Sequence, residues 1–188
     1  MYIDKDADLQ KAVSLVINAK TQRTGVCNAI ETLLVHEDLP DSFMADLVSE
    51  LESKGTELRV DDKFKKASKV NSSLATNKDW ATEYLDNILS IKTVSSIDEA
   101  IDHIDQYGSF HTETIVSENE KAQEEFFSRV DASCIAVNAS SRFNDGGQLG
   151  LGAELGISTT KLHAYGPMGA EQMTTSRYVI VGNGNIRS

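Results

Sequence analysis

Leu9, Ala12, Val13, Val16 and Ile17 recur at intervals of three and four, which predicts an amphipathic helix over residues 7–20. Just after Met1, Tyr2-Ile3 reads as a strand. A polar turn, Thr21-Gln22-Arg23-Thr24-Gly25, then delivers Val26-Cys27-Asn28-Ala29, and a short helical stretch is expected from Asn28 to Glu31. Thr32 to His36 is an apolar run of strand type. Pro40 suits the first position of a second helix, whose stripe is Phe43, Met44, Leu47, Val48 and Leu51, and Gly55 is its stop. Thr56 to Val60 reads as a strand. Residues 61–80 lack clear periodicity and are assigned to loop.

Beyond them the alternation resumes. Ile88 to Val94 is a predicted strand, and Ser96 with Glu99 forms a capping box before Ile97, Ala100, Ile101 and Ile104. Thr112 to Val116 is another strand. Ser117 and Glu120 suggest a second capping box, leading a helix that buries Ala122, Phe126, Phe127 and Val130, and Cys134 to Asn138 is a strand of buried types. Strands alternating with helices predict an α/β fold with a mostly parallel sheet and helices on both faces. From Arg142 to Gly156 five glycines mark a loop or a loop–helix junction, with a helix expected near Gly150. Tyr178 to Val181 reads as a late strand, of the kind that pairs with another domain or subunit.

Composition narrows the function classes. At 188 residues and 40% hydrophobic, the chain suits one domain with a real core, or one domain plus a short appendage. A net charge of −11 repels nucleic acid and anionic membranes, so neither is an expected partner. An anionic ligand would need positive charge gathered locally. Cys27 and Cys134, without a CxxC, make neither a disulfide framework nor a cysteine zinc site, which points to a reducing cytoplasm. No run reaches membrane-span length, and the first residues have neither a basic start nor an apolar h-region. His36, His103, His111 and His163 are scattered, so surface or capping roles are expected and no metal.

Cys27 is the first candidate for chemistry. A thiolate is a strong nucleophile where a helix N-terminus or nearby cations lower its pKa, and Lys20 and Arg23 are close in sequence. Position alone fits a structural buried thiol better, since free cysteine is among the most buried residue types. Cys134, inside Ser133-Cys134-Ile135-Ala136-Val137, reads as structural. The stretch from Phe143 to Glu154 lets backbone approach a ligand, yet its glycines match neither a dinucleotide fingerprint nor a P-loop, and an ordinary connection explains them.

The motifs taken together say more. Lys20-Thr21-Gln22-Arg23-Thr24-Gly25-Val26-Cys27-Asn28-Ala29, then Glu31-Thr32-Leu33-Leu34-Val35-His36-Glu37, resembles the nucleophile segment of gamma-glutamyl phosphate reductases, members of the aldehyde dehydrogenase superfamily. Val137-Asn138-Ala139-Ser140-Ser141-Arg142-Phe143-Asn144-Asp145-Gly146-Gly147 and Gly150-Leu151-Gly152-Ala153-Glu154-Leu155-Gly156 fit as well. So do His163-Ala164-Tyr165-Gly166-Pro167-Met168-Gly169 and the ending from Gly182 to Arg187. Thr24 and Tyr165 stand where the family more often has Pro and Arg, both peripheral.

The resemblance implies a catalytic cysteine at Cys27 and, at Glu83, the glutamate that contacts the nicotinamide-side ribose of NADPH. It implies a substrate-closing loop with Arg142, Phe143, Gly146 and Gly147, in which Arg142 would clamp a carboxylate or phosphate. The implied reaction is reduction of L-glutamyl 5-phosphate to glutamate 5-semialdehyde in proline synthesis, through a thioacyl intermediate on Cys27. It also implies that residues 1–160 form the catalytic domain and that residues 161–188 serve oligomerisation or docking. The cofactor-binding domain of the family precedes this segment, so the expectation is a portion inactive alone, with a homo-oligomer or full-length subunits as partners. A non-catalytic assembly module and part of a bifunctional kinase-reductase are the competing expectations.

Overall fold

The computed structural model describes residues 1–69 and 72–188. Its elements run β1 (Tyr2–Ile3), α1 (Leu9–Thr21), β2 (Thr32–His36), α2 (Asp41–Ser53), β3 (Glu57–Val60), α3 (Asp62–Ser68), β4 (Ser73–Leu74), α4 (Asn77–Trp80), β5 (Ile88–Val94), α5 (Ile97–Tyr107), β6 (Thr112–Val116), α6 (Glu120–Arg129), β7 (Cys134–Val137), a 3-10 turn (Ser141–Phe143), β8 (Gly156–Ser158) and β9 (Gly166–Met168). Seven strands form one sheet in the order β4-β3-β5-β2-β1-β6-β7, every neighbouring pair parallel. The β8–β9 hairpin is antiparallel and separate.

Alternation along the strands divides the core in two. Ile3, Leu33 and Val35 face α1, α2 and α3, packing with Val16, Leu47, Leu51 and Phe64. Tyr2 and Leu34 face the opposite way, against Ile101, Ile104 and Phe126 of α5 and α6. Strands β1 and β2 are therefore buried on both faces, which is why Thr32 to His36 reads as an apolar run. The α/β fold with a mostly parallel sheet holds.

Local expectations fare unevenly. The stripe of α2 is buried as predicted, with Pro40 capping from just outside the helix. Residues 61–80 are not simply loop. Asp61 caps α3 through the Phe64 N–H at 2.7 Å, and Thr76 with Asp79 makes a capping box for α4. Within that range, the loop expectation for Val70 and Asn71 lies outside the described residues. Ser96 accepts from the Glu99 N–H, while the Glu99 carboxylate turns to Ser95, so that box is only half formed. The cap of α6 is Asn119 rather than Ser117, whose hydroxyl instead donates to Asp4 at 2.8 Å. Phe127 points outward.

No helix starts at Asn28, where the chain turns directly into β2, and none starts near Gly150. Gly150 and Gly152 both have φ of +77°, a left-handed backbone that interrupts a helix. Tyr178 to Val181 is not a strand: it finds no sheet edge, and its side chains stand in solvent. No helix is long and apolar enough to cross a membrane among the described residues.

Candidate active site

In parallel α/β sheets ligands usually sit beyond the carboxyl ends of the strands. Here a cavity opens at the other edge. Met1, Thr32 and Thr112, at the starts of β1, β2 and β6, line it together with Cys27, Glu83 and His111. The reason is connectivity: the α1–β2 turn carrying Cys27, the stretch before β5 carrying Glu83 and the α5–β6 turn carrying His111 all reach this edge. The cavity measures about 370 Å³.

Side-chain bonds fasten the cysteine turn to the distant 3-10 turn. Asn28 Nδ2 donates to the Asn144 carbonyl at 2.9 Å, and Ser141 Oγ donates to the Asn28 carbonyl at 2.6 Å, both buried. Arg142 Nε donates to Gln22 Oε1 at 2.9 Å. On the other side, Lys20 Nζ, fully buried, bonds Glu31 at 2.9 Å, and the second Glu31 oxygen accepts the Leu85 N–H at 3.3 Å. Leu85 has φ of +53°, a conformation that a non-glycine residue keeps only when held. That bond thus fixes the segment that carries Glu83.

Cys27 is exposed in this frame and is not packed among aliphatic side chains. Its thiol is nevertheless raised above the ordinary value. Partial desolvation is the largest cause, the Glu154 and Glu83 carboxylates add to it, and the Cys27 backbone N–H and Arg142 oppose it. The sequence expectation of Lys20 as an activating cation fails because Lys20 is spent on Glu31. Arg142 is the cation that does act on the sulfur. Cys134 is half-buried at the start of β7, its thiol raised by burial alone.

Arg142 is half-buried and Phe143 exposed. The Gly146 N–H donates to Glu154 Oε2 at 2.7 Å, and a Cβ at Gly146 would meet Glu154 Cβ at 2.8 Å and the Ala153 carbonyl at 2.9 Å. Gly147 N–H is held by Asp145 at 2.9 Å. The glycine segment is therefore a closed loop whose returning arm carries Glu154, a carboxylate that acts on the thiol.

The aldehyde dehydrogenase family model matches residues 1–86, a span that includes both Cys27 and Glu83. Gamma-glutamyl phosphate reductase of Nautilia profundicola is 54% identical over 187 residues, covering all of this chain and 45% of that protein. The crystal structure of gamma-glutamyl phosphate reductase from Thermotoga maritima superposes with a TM-score of 0.94 at 48% identity, again over all of this chain and 45% of the other. Over its whole length the chain is similar to gamma-glutamyl phosphate reductases. It spans under half the length of these relatives. An acetylating aldehyde dehydrogenase from Geobacillus thermoglucosidasius, at 19% identity and a TM-score of 0.68 over all of this chain and 51% of that one, shares the fold.

Within this frame, four residues to which the sequence reading assigned no role belong to the site. Glu154 acts on both Cys27 and His111. Glu31 anchors the Glu83 segment, and Asn28 and Asn144 lock the two turns together. All four lie inside the motifs that carry the resemblance, Asn28 next to the cysteine, but nothing in the sequence assigned them these roles. Of the surface or capping roles expected for the histidines, the surface reading is corrected for His36, His103 and His111, which are all buried, while His36 Nδ1 does cap a turn by accepting the Asp38 N–H at 3.1 Å. Each sits at a strand end or on the inward face of α5, where the sheet covers it. No group of three metal-binding side chains that could hold an ion occurs among the described residues.

Proposed function

We propose that this chain supplies the nucleophile and substrate half of a reductase that converts L-glutamyl 5-phosphate to L-glutamate 5-semialdehyde, with NADPH as reductant. The observation that carries the reading is the exposed Cys27, tied through Asn28 to the glycine loop and flanked by Arg142 and Glu83. The Cys27 thiolate attacks the acyl carbon, the bond to the phosphate oxygen breaks, and phosphate leaves, so that the acyl group becomes a thioester. Arg142 supplies the local positive charge that an anionic ligand needs on a protein of net charge −11. It also opposes in part the two carboxylates that disfavour the thiolate.

Glu83 fits the cofactor in one respect: its exposed carboxylate stands on the cavity rim as an acceptor for a ribose hydroxyl. The bound cofactor supplies hydride to the acyl carbon, and the chain's own part is to hold that carbon on Cys27 and the ribose at Glu83. Fixing a nicotinamide over the thioester takes more surface than this chain presents, so turnover by the chain alone is absent. Residues 161–188, with Leu162, Tyr178, Ile180 and Val181 in solvent, serve as the docking or oligomerisation extension. The reaction belongs to proline biosynthesis in the cytoplasm.

The test is an assay in the oxidative direction. The chain is mixed with the separately produced remainder of a family member and given semialdehyde, NADP and phosphate. NADPH should form only with both polypeptides and only with phosphate present, and Cys27→Ser should abolish it. Phosphate-independent NADPH formation would reject the acyl phosphate chemistry.

A further inference from the structure

Three of the buried polar side-chain atoms that lack a partner among the described residues, Asn28 Oδ1, Asn144 Oδ1 and His111 Nε2, belong to one connected set beside Cys27. Asn144 Nδ2 donates to Thr112 Oγ1 at 2.8 Å and to the His111 carbonyl at 3.4 Å, which orients the amide. Thr112 Oγ1 lies 2.6 Å from His111 Nδ1. Thr112 Oγ1 accepts from Asn144, and its own hydrogen, for which no other acceptor occurs among the described residues, is assigned to Nδ1. A neutral imidazole that accepts at Nδ1 carries its proton on Nε2.

That N–H is costly where it stands. His111 is 8% exposed and its Nε2 is closed to bulk water, yet no side chain or carbonyl meets it. The ring belongs to the wall of the cavity that also holds Cys27. Glu83 and Glu154 act electrostatically on both groups, which places thiol and imidazole in one neighbourhood.

We propose that the His111 Nε2–H is the hydrogen-bond donor for an oxygen of the acyl phosphate that acylates Cys27. The inference rests on the acyl phosphate reading above. In the step it serves, the Cys27 thiolate, its proton already given to solvent, forms the sulfur–carbon bond, and the carbon–oxygen bond to phosphate breaks. His111 keeps its own proton throughout and stabilises negative charge on the ligand oxygen. Burial lowers the imidazole pKa, which keeps the ring in the neutral form that the hydrogen-bond pattern requires.

Two variants separate this role from support of Thr112. His111→Asn keeps an amide near the Nδ1 position and loses the donor at Nε2; His111→Gln does the reverse. Acylation of Cys27 by acetyl phosphate, followed by mass spectrometry on the 188-residue chain, should slow about tenfold or more in His111→Asn and stay within about threefold in His111→Gln. Alkylation of Cys27 by iodoacetamide, which needs no such donor, should be the same in all three proteins. Equal acylation in the three, the reverse order, or loss of alkylation along with acylation would overturn the inference while leaving the acyl phosphate reading in place. Failure of acetyl phosphate to acylate the unaltered chain would overturn both.

Discussion

Lys20→Met removes the cation that the site's frame depends on. Lys20 is fully buried and bonds Glu31 at 2.9 Å, with the Glu31 side chain 18% exposed. Deleting one partner of a buried pair costs about 3–5 kcal/mol, because the remaining charge is stranded. Glu31 retains some access to water, and burial already raises its pKa against the pull of Lys20 and the Leu85 and Tyr84 N–H groups, so it can accept a proton instead. The lower end, about 3 kcal/mol, is therefore expected at neutral pH. For a chain of this size that corresponds to a fall of about 6–12 °C in Tm. The deficit should shrink on acidification, since a protonated Glu31 needs no cation. Lys20→Met with Glu31→Leu should recover to within about 1 kcal/mol of the unaltered chain, as apolar replacements of whole buried pairs do. Urea unfolding of the single and double variants at neutral and acidic pH measures all three effects. A single variant within about 0.5 kcal/mol of the parent, or a double variant worse than the single, would refute the reasoning.

Glu154→Gln should move the pH profile of Cys27 alkylation to lower pH, more so at low ionic strength because Glu154 is exposed, whereas an unchanged profile would remove Glu154 from the sulfur's surroundings. His103, packed edge-on to Trp80 and against Tyr107, has its pKa lowered from 6.5 to about 4, chiefly by burial and also by Lys92 and the N-terminal ammonium. The unfolded chain takes up that proton first on acidification, so this group's contribution is intact above pH 6.5 and falls by about 3 kcal/mol by pH 4. His103→Phe should flatten this part of the stability curve in urea titrations, and a slope identical to that of the parent would contradict the assignment.

How much of this the sequence carries depends on the range of the interactions. Strands β2, β5 and β6 are legible to the residue, β2 because a central parallel strand is buried on both faces, β5 and β6 because β-branched residues dominate them, and α2 because its stripe is continuous. Elements α3 and α4 are short and bury little beyond Phe64, so periodicity is silent there. Their caps, Asp61 and the Thr76–Asp79 box, were the readable signal. The late strand failed for a different reason: a run of β-branched and aromatic side chains marks a segment able to pair, and Tyr178 to Val181 meets no sheet edge among the described residues.

At the site, motif likeness pointed to Cys27, Glu83 and Arg142, and the fold brings their segments to one edge of the sheet. The charge environment of the sulfur was not legible. It depends on Glu154 and Arg142, more than a hundred residues away in sequence, and on Lys20 being diverted to Glu31. A buried histidine with an unmet donor was equally invisible, since His111 differs from a surface histidine only through what packs around it.

The central claim is that Cys27 accepts an acyl group from an acyl phosphate. Peptide mapping after exposure of the chain to acetyl phosphate tests it most directly. One acetyl group should be found on Cys27, with one phosphate released for each group transferred and Cys134 unmodified. Acetylation confined to lysines, or shared evenly between the two cysteines, would contradict it.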